Sequence, residues 1–174
     1  FIINHNIDGQ VHYNLEEYRS RKSPETSDRL FRNDNNRFVD VSDQVGLIHD
    51  GISFGLGLVI GDLNNDGWAD VVVGQDFASK DRIYLNQQNG KFKEVSSEAT
   101  GHSSNFSMGN DMADINNDGW LDFMSLDMVS EDNYGIKASM SGMNPERFQE
   151  MLDKGFHYQY MYNALQINNG TPSD

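Results

Sequence analysis

The 174-residue chain has no cysteine, which excludes a disulfide framework and any thiolate metal site. It has three prolines against sixteen glycines, so its turns are made by permissive residues. That suits an all-β protein better than a helical bundle. No run approaches the ~18 consecutive apolar residues of a membrane helix. Basic residues are scarce: 13 Lys and Arg stand against 27 Asp and Glu, for a formal net charge of −14. Such a surface repels phosphate backbones and anionic lipid, so nucleic acid is not an expected partner. Two catalytic signatures are missing too: there is no phosphate-binding loop and no dinucleotide fingerprint. His5, His12, His49, His102 and His157 follow no metal or triad spacing. A chain that opens on Phe1 says nothing about a signal peptide. The hydrophobic fraction of 37% and aromatic fraction of 11% are enough for a packed core.

What the chain does have is a repeat. Ile60-Gly61-Asp62-Leu63-Asn64-Asn65-Asp66-Gly67-Trp68-Ala69-Asp70 returns as Met112-Ala113-Asp114-Ile115-Asn116-Asn117-Asp118-Gly119-Trp120-Leu121-Asp122, an offset of 52. Phe54-Gly55-Leu56-Gly57 is echoed by Phe106-Ser107-Met108-Gly109 at the same offset. Asp28-Arg29-Leu30-Phe31-Arg32-Asn33, followed by Phe38-Val39-Asp40-Val41-Ser42, matches Asp81-Arg82-Ile83-Tyr84-Leu85-Asn86 and Phe92-Lys93-Glu94-Val95-Ser96. A third, partial copy is Asn163-Ala164-Leu165-Gln166-Ile167-Asn168-Asn169-Gly170.

Short apolar runs between Gly, Asn and Asp turns read as strands. One full unit is expected at 56–61, 69–74, 82–86 and 92–95, with a hairpin turn at 87–90. Four antiparallel strands in roughly 50 residues is the size of a β-propeller blade. The unbroken Val71-Val72-Val73 fits a strand packed on both faces. The fold class is therefore all-β, with propeller blades. The expected units are 1–53 (a partial blade and connection), 54–105 (a complete blade) and 106–174 (a partial blade interrupted at 129–162). Aligning Phe1-Ile2-Ile3-Asn4 with Val71-Val72-Val73-Gly74 makes the chain about two and a half blades of a longer repeat protein, whose remaining blades are its first expected partners.

The repeated loop carries a metal pattern. Asp-x-Asn-x-Asp-Gly-x-x-Asp sets oxygens at positions 1, 3, 5 and 9, and the position 7 carbonyl adds a fifth. Ca²⁺ takes six to eight oxygens, and glycine at position 6 allows a sharp turn. The expected ligands are Asp62, Asn64, Asp66, the Trp68 carbonyl and Asp70, then Asp114, Asn116, Asp118, the Trp120 carbonyl and Asp122, for two Ca²⁺ sites. The competing reading is an acidic turn without metal, which two matched copies make the weaker one. An EF-hand needs Glu at position 12, where this chain has Val73 and Ser125. Mg²⁺ is less suited, since it demands octahedral geometry and keeps its waters.

In the interruption, Asn144-Pro145-Glu146 is a helix start, with Asn as N-cap and Pro at the first position. Phe148, Met151 and Leu152 then form an apolar stripe, and Lys154-Gly155 is a stop. Phe156, Tyr158, Tyr160 and Tyr162 alternate as in a strand. They suit either a binding patch for sugar or protein, or a structural role, covering the propeller edge or packing against that helix.

Phe54-Gly55-Leu56-Gly57 ahead of the 62–70 loop resembles the FG-GAP/VCBS repeat, the calcium-binding blade of integrin α-subunit propellers. Phe106-Ser107-Met108-Gly109-Asn110-Asp111, the 114–122 loop, Leu126-Asp127-Met128 and Asn168-Asn169-Gly170 are similar to large VCBS-repeat surface proteins of Bacteroidetes, in the cartilage acidic protein group. The resemblance implies a propeller, structural Ca²⁺, an extracellular or cell-surface location such as the bacterial outer membrane, and no reaction. The expected function is non-catalytic binding of a surface protein or glycan. Two alternatives are the propeller of a polysaccharide-degrading enzyme and an accessory subunit of an outer-membrane complex.

Overall fold

The computed structural model describes residues 1–6, 15–132, 134–135 and 145–170. His12 and Asn144 lie outside them. The elements are α1 (Leu15–Ser20), β1 (Phe31–Asp34), β2 (Arg37–Asp40), α2 (Ser42–Val45), β3 (Gly55–Gly61), β4 (Asp70–Gln75), β5 (Arg82–Asn86), β6 (Phe92–Glu94), α3 (Ser96–Ala99), β7 (Ser103–Ser104), β8 (Ser107–Ala113), β9 (Asp122–Asp127), α4 (Pro145–Asp153), β10 (Gln159–Tyr160) and β11 (Ala164–Gln166).

The second blade is the antiparallel sheet β3-β4-β5-β6. Its strands start and end within a residue of the sequence expectation. The third blade is β8-β9-β11, with the same register and the same irregularity near the start of its first strand, at Ser107/Gly109 as at Gly55/Gly57. The first blade is the β1-β2 hairpin with an antiparallel bridge from Ile2 to Arg29. Its two-residue turn puts Asn35 and Asn36 at φ 52° and 69°, the left-handed pair a tight hairpin needs. The described residues form an open run of blades and no closed ring. No described helix is long and apolar enough to cross a membrane.

Two expectations are corrected. Ile2 bridges Arg29 as Val73 pairs with Arg82, so Phe1 aligns with Val72, one residue later than the sequence alignment placed it. The residues 156–162 are not one strand: only Gln159–Tyr160 pairs, in parallel with β7. Phe156 is buried in a core cluster, while Tyr158, Tyr160 and Tyr162 face outward. The helix expected before them is present as α4. It ends where Gly155 turns left-handed at φ 73°, with Phe156 N–H donating to the Met151 carbonyl and Gly155 N–H to that of Leu152. That is a Schellman end, and Met151 packs against the core cluster that holds Phe156.

The blades are joined by apolar layers. Val71 and Val73 face the first blade, packing with Val41, Val45, Leu47 and Tyr84. Val72 faces the third, packing with Ile83, Leu85, Val95 and Phe123. One strand thus serves two cores, which is why its apolar run does not alternate. The repeated Val-Ser pairs also have a structural use. Ser42 Oγ accepts the N–H of Leu30, and Ser96 Oγ that of Ile83, tying each blade's end to its third strand.

Candidate metal centre

Each acidic loop links the first strand of a blade to its second, and the two loops are near copies. Asp62 Oδ1 accepts Asp66 N–H at 3.0 Å and its Oδ2 accepts Gly67 N–H at 2.8 Å. Asp114 does the same with Asp118 and Gly119, at 3.0 and 2.8 Å. Asn64 Nδ2 donates to Asp66 Oδ2 and Asn116 Nδ2 to Asp118 Oδ2. Asp66 Oδ1 accepts Trp68 N–H, and Asp118 Oδ1 accepts Trp120 N–H. Gly67 and Gly119 have φ of 85° and 90°, as the motif requires. Asn65 and Asn117, at 52° and 61°, are also left-handed. Sequence reasoning missed that second bend, although the repeated Asn-Asn pair carried the signal.

Asp70 and Asp122 are fully buried and do more than the ligand assignment asked of them. Asp70 accepts Leu63 N–H with Oδ2 and Asn86 N–H with Oδ1; Asp122 accepts those of Ile115 and Asn168. Each therefore ties the loop to the third strand of its own blade. Burial raises the Asp70 pKa, the two N–H bonds oppose it, and Asp66 and Asp62 nearby add to the rise. The Gln88 amide bond on Asp66 lowers the pKa of that carboxyl.

The donor set suits a hard cation: three carboxylates, an amide oxygen and a main-chain carbonyl, with no nitrogen or sulfur ligand. The carboxylates are turned toward the loop's own N–H groups, and among the described residues no three acidic or histidine side chains form a metal cluster by themselves. A carboxylate has about four lone-pair directions, so the two N–H bonds to Asp62 or Asp70 leave capacity for an ion. The first loop is the more enclosed. Asn65 Nδ2 reaches the Gly119 carbonyl, and Asn168 Nδ2 reaches that of Leu63, so the first loop is braced by the third blade's residues.

Beside the loops, a cleft of about 260 Å³ opens between the second and third blades, lined by Trp120, Phe123, Val95, Ala99 and Gln166 among others. At the preceding joint Phe92 packs on the corresponding positions, Val71, Val41, Val45 and Tyr84. The aromatic run lies elsewhere: Phe148 of α4 stacks on Tyr160 at 5.6 Å and lies 6.4 Å from Tyr158. This is the helix packing that the sequence left as one of two readings.

A four-stranded and a three-stranded antiparallel sheet set side by side, each with an acidic loop between its first and second strands, define a β-propeller type of repeat. A family model described as FG-GAP-like repeat matches residues 20–73 and again 62–125, and the chain belongs to that family. The search of curated proteins found no match.

Proposed function

We propose that the chain is part of a calcium-binding, non-catalytic propeller of an exported or cell-surface protein, akin to the Bacteroidetes VCBS-repeat surface proteins of the cartilage acidic protein group. One ion is held by Asp62, Asn64, Asp66, the Trp68 carbonyl and Asp70. A second is held by Asp114, Asn116, Asp118, the Trp120 carbonyl and Asp122. The observation that carries this reading is the duplicated loop, in which oxygen donors recur at the same positions with the same hydrogen bonds. Calcium supplies the charge that balances three carboxylates in nine residues, and so braces the first strand of each blade to its second.

The ions are structural, and the blades hold out segments that bind protein or glycan. The contact segment in this reading is 129–162, where Tyr158, Tyr160 and Tyr162 are 40–58% exposed. Sites of this type outside cells bind calcium at about 10⁻⁴–10⁻³ M.

The test is terbium luminescence of the full-length protein, because each loop carries a tryptophan able to sensitise a bound lanthanide. Emission that calcium displaces, and that falls in separate steps in Trp68→Phe and Trp120→Phe, is expected. Absent sensitised emission, together with no calcium binding by calorimetry, would contradict the reading.

A further inference from the structure

One contact within the blade separates the two acidic loops. In both blades the turn after the third strand is tied back to the loop in the same way. Asn86 N–H donates to Asp70 Oδ1 and its Nδ2 to the Ala69 carbonyl; Asn168 N–H donates to Asp122 Oδ1 and its Nδ2 to the Leu121 carbonyl. Two residues on, Gln88 N–H donates to Asn86 Oδ1 and Gly170 N–H to Asn168 Oδ1, both at 3.0 Å. Gln88 and Gly170 therefore hold one position of the repeat, and both are left-handed, at φ 59° and 64°. Glycine takes that conformation freely, whereas a residue with a Cβ is strained in it. In the third blade glycine fits for a second reason: a Cβ on Gly170 would stand 2.7 Å from the Trp120 indole. In the second blade the same position bears a long amide side chain in spite of the strain.

That side chain reaches the loop. Gln88 Nε2 donates to Asp66 Oδ2 at 3.1 Å. Asn64 Nδ2, from a residue already assigned to the ion, donates to the same oxygen at 3.0 Å. Gln88 thus makes from the β5–β6 turn the contact that Asn64 makes within the motif. The matching Asp118 Oδ2 accepts Asn116 Nδ2, and Gly170 has no side chain to add. An amide carries an acceptor oxygen beside its donor nitrogen, and a half-turn of the group exchanges them. The motif offers five oxygen positions, while Ca²⁺ takes six to eight.

We propose that Gln88 lends its amide oxygen to the ion of the first loop, as a ligand beyond the five of the motif, and so makes that loop the tighter of the two calcium sites. The inference rests on the calcium reading above and adds an inequality that the motif alone does not contain. The Gln88–Asp66 bond is exposed and joins two surface turns, so changing Gln88 leaves the cores of the blades intact.

The test is competition between calcium and terbium in the full-length protein. The sensitised emission lost in Trp68→Phe reports the first loop, and that lost in Trp120→Phe reports the second. In the parent the first loop should hold calcium the more tightly. Gln88→Ala should weaken it about 10-fold and leave the second loop unchanged, which also checks the fold. Terbium in the first loop should then gain about one water molecule, counted from luminescence lifetimes in H₂O and D₂O. An unchanged first-loop affinity in Gln88→Ala would overturn the proposal. Weaker binding without the extra water would overturn the ligand assignment and make Gln88 a donor that holds Asp66 in place. A first loop no tighter than the second in the parent would overturn the ranking. Failure of the calcium reading looks different, because the parent itself would then bind neither ion at either loop.

Discussion

The two acidic loops are near copies, bond for bond, whereas the two joints between blades are not. The first joint is ionic and bulky. Arg82, with its side chain 2% exposed, pairs with Asp50 at 2.7 Å and bonds the Ile48 carbonyl and Ser79, beside Asp28 and the buried Tyr84. Burial works against its charge, but Tyr84, Asp50 and Asp28 raise its pKa overall. Among the described residues the second joint has no such cation: Ala164 stands where Arg82 does. Its polar centre is Asp81 with Ser125, and Asn110 donating to Ser107 and Ser125. The loops answer to one demand, closing the same turn around the same donors. Each joint answers only to its own neighbour, so the repeat is strict in one place and free in the other.

Breaking the ionic joint should have the largest effect. Arg82→Met leaves the buried Asp28 and the partly buried Asp50 without their cation and should cost ~3–5 kcal/mol in denaturant unfolding. A loss below about 1 kcal/mol would mean that the first joint is no more dependent on charge than the second.

Next come Asp70→Ala and Asp122→Ala, each of which strands two N–H groups and should cost ~2–4 kcal/mol. Because the loops are copies, the two losses should agree within about 1 kcal/mol. A wide gap would break the equivalence of the loops.

Gly74→Ala tests the second joint, where the new methyl would displace Asn110 and Ser107; about 1–3 kcal/mol is expected. The double variant with Asn110→Ala should recover part of that loss.

The smallest effect is a pH slope. Burial raises the Asp81 pKa from 3.8 to about 6, against the N–H of Gln75 and the hydroxyls of Ser125 and Ser107, with Asp127 adding to the rise. A raised folded pKa means that the native state binds the proton more tightly. The stabilising contribution is therefore full below about pH 3.8 and is lost as pH rises through about 6. Asp81→Asn, the residue found at the matching position 163, should remove that slope. Its stability relative to the parent should rise between pH 4 and 7, read by melts across that range.

Much of the blade was legible because it is built locally. Turn residues, strand lengths and the Asp-Gly loop are short-range, and each appears twice, so β3 through β6 fell close to their expected bounds. The register of Phe1 was misread because Ile2 and Ile3 are equally apolar, and only tertiary pairing, the bridge of Ile2 to Arg29 and the bond of Asn4 N–H to Asp28, separates the two alignments. The 156–162 run alternates like a strand, but Phe156 is claimed by the end of α4 and the Tyr18–Phe54 core, a tertiary demand invisible to periodicity. In the candidate site the donor list was legible. The second task of Asp70 and Asp122 was not, because Asn86 and Asn168 lie 16 and 46 residues away. The joints were hardest to read, since Asp28 and Asp81 gain their meaning only from the blade on the other side.

The most direct test of the central claim is the thermal midpoint of the full-length protein in ~1 mM Ca²⁺ against excess EDTA, with bound metal counted on the same samples. A calcium-dependent rise in midpoint is expected, an effect that Mg²⁺ does not match and that Asp70→Ala and Asp122→Ala each diminish. A midpoint unmoved by calcium, in protein that carries no metal, would contradict it.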